Sequence, residues 1–359
     1  MRKALWMIVG IVVALFVGFG TAYVASEEVR YLTRAGLEET RILELRRPLV
    51  KVAADTSLAP EVLGALHLVM DVRDAAAGLG LQAGETYTAY ADVGRDTLLL
   101  VLSASPRDCL CPRTWKYPIV GRVPYKGFFD PAMGRKAAEE LERGGYDVYL
   151  RTSSAFSTLG WFNDPLLSTA ISSDSVEMAA LVFHELAHNT LYVKSATPFN
   201  ETFAQMVGYR AAEAFFRARG DTTLARRAAD RWHDELVLSD FYDALGARLE
   251  ALYASRPDSL ALEAGRMDAG IWMRDQLAGP VGAKLRTYDI GPMAARPVNN
   301  ARLIAARIYR TRSALFEAWY WRWDGNLAAG IRALDSILAG AEGDRAFERL
   351  EAALAPVGN

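Results

Sequence analysis

Two histidines four residues apart, in Phe183-His184-Glu185-Leu186-Ala187-His188, constrain this chain more than any other feature. On a helix, positions i and i+4 share a face, so His184 and His188 aim their imidazoles at one point. Two neutral imidazoles suit Zn²⁺, and Glu185 beside them can take a proton from a metal-activated water. The chain has only 4 histidines, so a chance occurrence of this pattern is rare.

The surroundings read as helical. Asp174 and Glu177, three apart, form a capping box in its Asp variant. Val176, Ala179, Ala180, Phe183, Ala187 and Leu191 follow at helical spacing, and the helix is expected to end near Val193 to Ser195. Thr197-Pro198 then starts a second helix, with Thr197 as N-cap and Pro198 at its first position. Gly220 is placed to end it. An antiparallel return at about 8–10 Å brings Glu201 opposite the histidine pair. Two His and one Glu leave one coordination position open for water, the catalytic kind of zinc site. The residues themselves therefore argue for metal-assisted hydrolysis.

Residues 4–25 form an uncharged apolar run, long enough to span a bilayer. Arg2 and Lys3 precede it, which predicts a cytoplasmic N-terminus and an exported body. The competing reading is a cleaved signal, with Gly20-Thr21-Ala22 as its small-residue site. Glu27 to Arg47 reads as a helix stopped by Pro48, and another helix starts at Pro60. His67 lies in that helix with no acidic or histidine partner nearby in sequence. Tyr87–Tyr90, Thr97–Ser103, Tyr117–Tyr125 and Tyr146–Thr152 read as strands, and Pro131–Gly144 as a short helix. The remainder, after the metal helices, is helical by periodicity. A net charge of −2 gives no reason to expect nucleic acid. Cys109 and Cys111, the only cysteines, are close to the limit of bridging if extended, so a disulfide requires a tight loop.

His184-Glu185-x-x-His188 with a downstream Asn200-Glu201 resembles the gluzincin metallopeptidases, the thermolysin-like clan. That resemblance implies Glu201 as third ligand. The spacing differs: twelve residues separate His188 from Glu201 here, fewer than in thermolysin. Gln205 stands where thermolysin has a supporting Asp. Gly145-Tyr146-Asp147-Val148-Tyr149, Pro118-Ile119-Val120-Gly121 with Tyr125-Lys126-Gly127, Ala155 to Phe162, Asp164-Pro165-Leu166-Leu167 and Val298-Asn299-Asn300-Ala301-Arg302-Leu303 resemble a bacterial family described as aminopeptidases. This likeness covers most of the chain after the first helix. It implies a zinc peptidase behind the inner membrane. Peptidases of this clan need a donor for the tetrahedral oxyanion, for which Tyr309 and Tyr209 are the candidates, with His233 a third. Asp164 is a candidate support for a ligand histidine. The Gly-x-Met-Glu-Asn signature that holds a free α-amine in one aminopeptidase group is absent. Glu177, two turns before His184, is one possible substitute, and endopeptidase action stays open.

The expected fold is α+β and predominantly helical. It has an anchor or signal at 1–25, a helical and β-rich region at 26–172, and a helical catalytic region at 173–359. The expected activity is a zinc-dependent peptidase acting on peptides, with Glu185 as general base and His184, His188 and Glu201 as ligands. A membrane-anchored scaffold that keeps the site without turnover is the rival from another class. The orientation is checked by a reporter fused after Asn359, which should behave as exported; cytoplasmic behaviour would overturn it.

Overall fold

A computed structural model describes residues 2–117, 121–153 and 165–355. The sequence readings on Pro118–Val120, on the aromatic stretch Phe156–Phe162 and on Asp164 lie outside the described residues. The fold is α+β and mostly helical.

The first helix, α1 (Arg2–Ala25), contains 21 residues, Leu5–Ala25, long and apolar enough to cross a membrane, and none of that stretch is buried. Ser26 caps α2 (Glu27–Glu44), its hydroxyl accepting from Val29 N. Arg30 on α2 reaches back and donates to the carbonyls of Tyr23 and Val24 at 3.1 and 2.8 Å, satisfying the open end of α1. The second helix ends at Glu44, before the expected stop at Pro48. Its Ile42 is buried against the following sheet region, and Glu38 is paired with Arg34 and Arg95.

Next come β1 (Arg47–Pro48), α3 (Leu49–Ala53), α4 (Pro60–Ala75), β2 (Ala89–Ala91), β3 (Leu99–Pro106), β4 (Trp115–Tyr117), β5 (Gly121–Val123), β6 (Lys126–Phe128), α5 (Pro131–Arg143), β7 (Tyr146–Ser153) and β8 (Leu166–Leu167). The longer sheet has order β6-β3-β7, antiparallel throughout, with Val101 opposite Arg151. A second sheet, β1-β2-β8, is mixed. In place of the expected single strand over Tyr117–Tyr125, β4 and β5 pair antiparallel, and β6 follows and joins the longer sheet. The reading at Tyr87 also shifts: its φ of 57° interrupts extension, and the strand begins at Ala89. Proline at the start of α4 and α5, with Asp130 capping α5, explains why both helix starts were readable.

The rest is helical: α6 (Ser175–Thr190), α7 (Thr197–Ala218), α8 (Thr222–Ala254), α9 (Ser259–Ala278), α10 (Gly291–Ala294), α11 (Asn300–Ile308), α12 (Ser313–Arg322), α13 (Leu327–Leu338) and α14 (Arg345–Leu354). The main core surrounds α6 and α7. Phe183, Phe199, Phe203 and Phe316 are fully buried there, with Phe199 5.0 Å from Phe316 and 5.1 Å from Phe347. A separate apolar cluster joins α8, α9 and α11 through Leu245, Leu249, Met273 and Leu303.

Helices α6 and α7 approach closely where Gly208 faces Ala180. A Cβ on Gly208 would lie 2.7 Å from the Ala180 carbonyl oxygen and 3.4 Å from His184 Cβ. Backbone would have to move. Gly208→Ala is therefore expected to destabilise the fold by about 1–3 kcal/mol, the range for overpacking. Denaturant unfolding measures this; an unchanged midpoint would show that the helices separate freely.

Candidate metal centre

The site begins with the cap of α6. Asp174 Oδ1 accepts from the amides of Val176 and Glu177 at 3.0 and 3.4 Å, fixing where the helix starts. Val176, Met178, Ala179, Val182, Phe183, Leu186 and Ala187 are all buried, so the helix is gripped on most of its circumference. His184, Glu185 and His188 occupy the half-buried remainder. The helix ends at Thr190, earlier than expected. Thr197 is the first residue of α7 rather than its cap; Ala196 takes the cap position and supplies no side-chain bond.

The turn between the helices is held by Asn200, which is 1% exposed. Its Oδ1 accepts from Val193 N at 2.9 Å, and its Nδ2 donates to Val193 O at 2.8 Å. One side chain thus satisfies both backbone groups of a buried loop residue. The neighbouring Glu201 is thereby set facing α6. Its Oε2 lies 3.4 Å from His184 Nε2 and its Oε1 3.8 Å from His188 Nε2. The two Nε2 atoms are 3.2 Å apart. His184, His188 and Glu201 each offer one ligand atom, and the three lie within 4.8 Å of one another. Two imidazole nitrogens and one carboxylate converging on a point are a donor set that fits a divalent cation with an open position.

Electrostatics support the ligand form of these groups. Burial pushes His188 down to about 4, helped by His184 and opposed by Glu201, so its imidazole is neutral near pH 7. Glu201 is drawn upward by burial, but the hydrogen bond and charge of His184 prevail and hold it below the usual carboxylate range. His188 Nδ1 is buried with no hydrogen-bond partner among the described residues. The two histidines outside the pattern go elsewhere: His67 bonds Ala53 O and His233 bonds Lys284 O, each at 3.2 Å.

The two tyrosine candidates separate. Tyr309, the C-cap of α11, has its ring centroid 6.4 Å from that of His184. Burial first, then the charges of Glu201 and Glu185, push its hydroxyl up to about 12, so it remains a proton donor. Tyr209 is not brought to the triad. Its hydroxyl lies 3.2 Å from Glu177 Oε2 and donates to it. Glu177 is also paired with Arg231 at 2.8 Å. That contact engages the carboxylate considered for holding an α-amine. Spacing puts Tyr209, eight residues after Glu201, on nearly the same helix face and is silent on Tyr309, because periodicity says which residues share a face and not which helices meet.

A buried polar junction positions α11. Asp147 on β7 accepts from Asn300 N and from Arg266, both at 2.6 Å. Asn300 Nδ2 donates to Pro106 O and Cys109 O. Cys109 and Cys111 form a disulfide, their Cα atoms 5.4 Å apart, in a loop tight enough to bring them within bridging range. Ser105 Oγ donates to the carbonyls of both cysteines. The Gly145–Tyr149 and Val298–Leu303 motifs thus meet in one place. Nothing in either motif read alone indicates that pairing.

A family model described as "Putative aminopeptidase" matches residues 30–348. The chain belongs to that family. No curated protein and no solved structure matches it. Membership in this aminopeptidase family supports peptidase activity at a coarse level, and the match spans both the sheet region and the helices carrying the donor triad.

Asn200→Ala isolates the turn. It leaves the buried Val193 amide unpaired, at a cost of about 1–3 kcal/mol, and its carbonyl with only the 3.3 Å bond from Ala196 N. Denaturant unfolding should show that loss. An unchanged midpoint would mean that water or a neighbour replaces the amide without cost.

Proposed function

We propose that this protein is a zinc-dependent peptidase, in keeping with its family an aminopeptidase, tethered to the inner membrane with its body in the periplasm. The observation that carries the reading is the convergence of His184, His188 and Glu201, with Glu185 on the same helix and Tyr309 beside His184. A zinc ion held by the three ligands would supply Lewis acidity, lowering the pKa of a water and polarising the scissile carbonyl.

Glu185 is the general base. It is half-buried on the same helix as both histidines, and its charge is among those that raise the Tyr309 hydroxyl, which supports a role for the two groups in one site. It accepts the proton of the attacking water and passes it to the leaving amine. Tyr309 donates its hydrogen bond to the developing oxyanion. Its raised pKa keeps the proton available through the pH range of the reaction. The location rests on three observations: the Arg2-Lys3 flank, the unburied apolar helix, and the disulfide, which suits an oxidising compartment.

Glu185→Gln tests the reading. It keeps the shape and removes the base, so zinc content should match the parent while turnover falls by about 10²–10⁴-fold. His184→Ala, His188→Ala and Glu201→Ala should each reduce zinc content. If Glu185→Gln complements a deletion strain fully while His184→Ala does not, the protein is a metal-holding scaffold.

A further inference from the structure

A cavity of about 280 Å³ has in its lining Tyr309, whose ring centroid is 6.4 Å from that of His184. Its apolar wall includes Leu245, Met273 and Leu303. Three arginines, Arg151, Arg296 and Arg302, line it too, and among the described residues no Asp or Glu does. A fourth, Arg310, is neutralised by Glu235, which is buried against it. The first three have no carboxylate partner among the described residues. This is unlike the guanidiniums of Arg210, Arg231 and Arg266, which meet Glu213 and Glu317, Glu177, and Asp147. Arg302 is held with its guanidinium 5.2 Å from the ring of Tyr149, and its Nε is buried without a hydrogen-bond partner.

Clustered like charges beside an apolar wall cost stability unless an anion joins them. Arg302 shows the strain: burial first, then the charge of Arg296, hold it below the usual arginine range. We infer that this cavity binds a carboxylate of the substrate peptide, with the apolar side chain next to it against Leu245, Met273 and Leu303. The inference rests on the peptidase reading and specifies its substrate. Arg302 and Tyr309 are seven residues apart along α11, about 10 Å. An extended peptide spans that distance in about three residues. The site therefore selects short peptides whose carboxylate lies about three residues from the carbonyl under attack. That carboxylate is a C-terminal α-carboxylate or an acidic side chain at that position.

The test uses the full-length protein in detergent with three peptides: Leu-Ala-Ala-Phe as free acid, Leu-Ala-Ala-Phe amide, and Leu-Ala-Ala-Glu amide. The acid should exceed the plain amide in kcat/KM by about ten- to hundredfold, the scale of a hydrogen bond to a charged group. Arg302→Gln and the exposed Arg296→Gln should each shrink that ratio, chiefly through KM. Because Arg302 also packs on Tyr149, the Arg296 variant keeps the test valid if the other does not fold. Fast cleavage of the Glu amide identifies a side-chain carboxylate; slow cleavage identifies the C-terminus. Equal rates for all three peptides in the parent overturn this inference and leave the peptidase reading standing. If nothing is cleaved, the peptidase reading fails. Calorimetric binding of N-acetyl-Ala-Phe, acid against amide, then judges the cavity alone: tighter acid binding supports it, and equal binding overturns it.

Discussion

The site depends on how near two helices can come. Glu201 reaches both imidazoles only because α6 and α7 run antiparallel in close contact, with Gly208 leaving no side chain against the Ala180 carbonyl. A wider spacing would leave the carboxylate short of His188, which it already meets at the longer distance of 3.8 Å. The same closeness fills the interior with Phe183, Phe199 and Phe203, so the apolar core and the polar donor set share one pair of helices. Dense packing on the buried sides fixes where the half-buried histidines point.

Much of this was legible because it is local. The Asp174 cap, the i and i+4 histidines and the glycine that ends α7 are decided within a few residues. So was the approach of Glu201, since only a short turn separates the helices. What escaped the sequence was which groups meet. Asn200 reads as half of a motif, yet its physical role is to close the turn on Val193. The choice between Tyr309 and Tyr209 waited on the packing of α11. The expected strand over Tyr117–Tyr125 gives way to β4 and β5 paired antiparallel, because strand-forming residue types do not reveal which segments pair.

The junction at Asp147 answers a different need. Three separated stretches, β7, α9 and the start of α11, meet on one buried carboxylate through Asn300 and Arg266. The charge is paired and hydrogen-bonded, as burial requires. By anchoring the N-terminus of α11, the junction sets the direction in which that helix carries Arg302 and Tyr309.

The donor triad comes from a single helical hairpin, whereas Tyr309 arrives on α11, much later in the chain. Closing the short turn between α6 and α7 costs little chain entropy, and contacts so near in sequence form early. Tyr309 and the arginines must wait for β7, α8 and α11 to dock. On the proposed function, a partly folded chain would hold the three donors together before the groups proposed to select a substrate and stabilise its reaction have docked. If the proposed peptidase reading holds, that order of assembly would delay cutting until the chain's own backbone is folded out of reach.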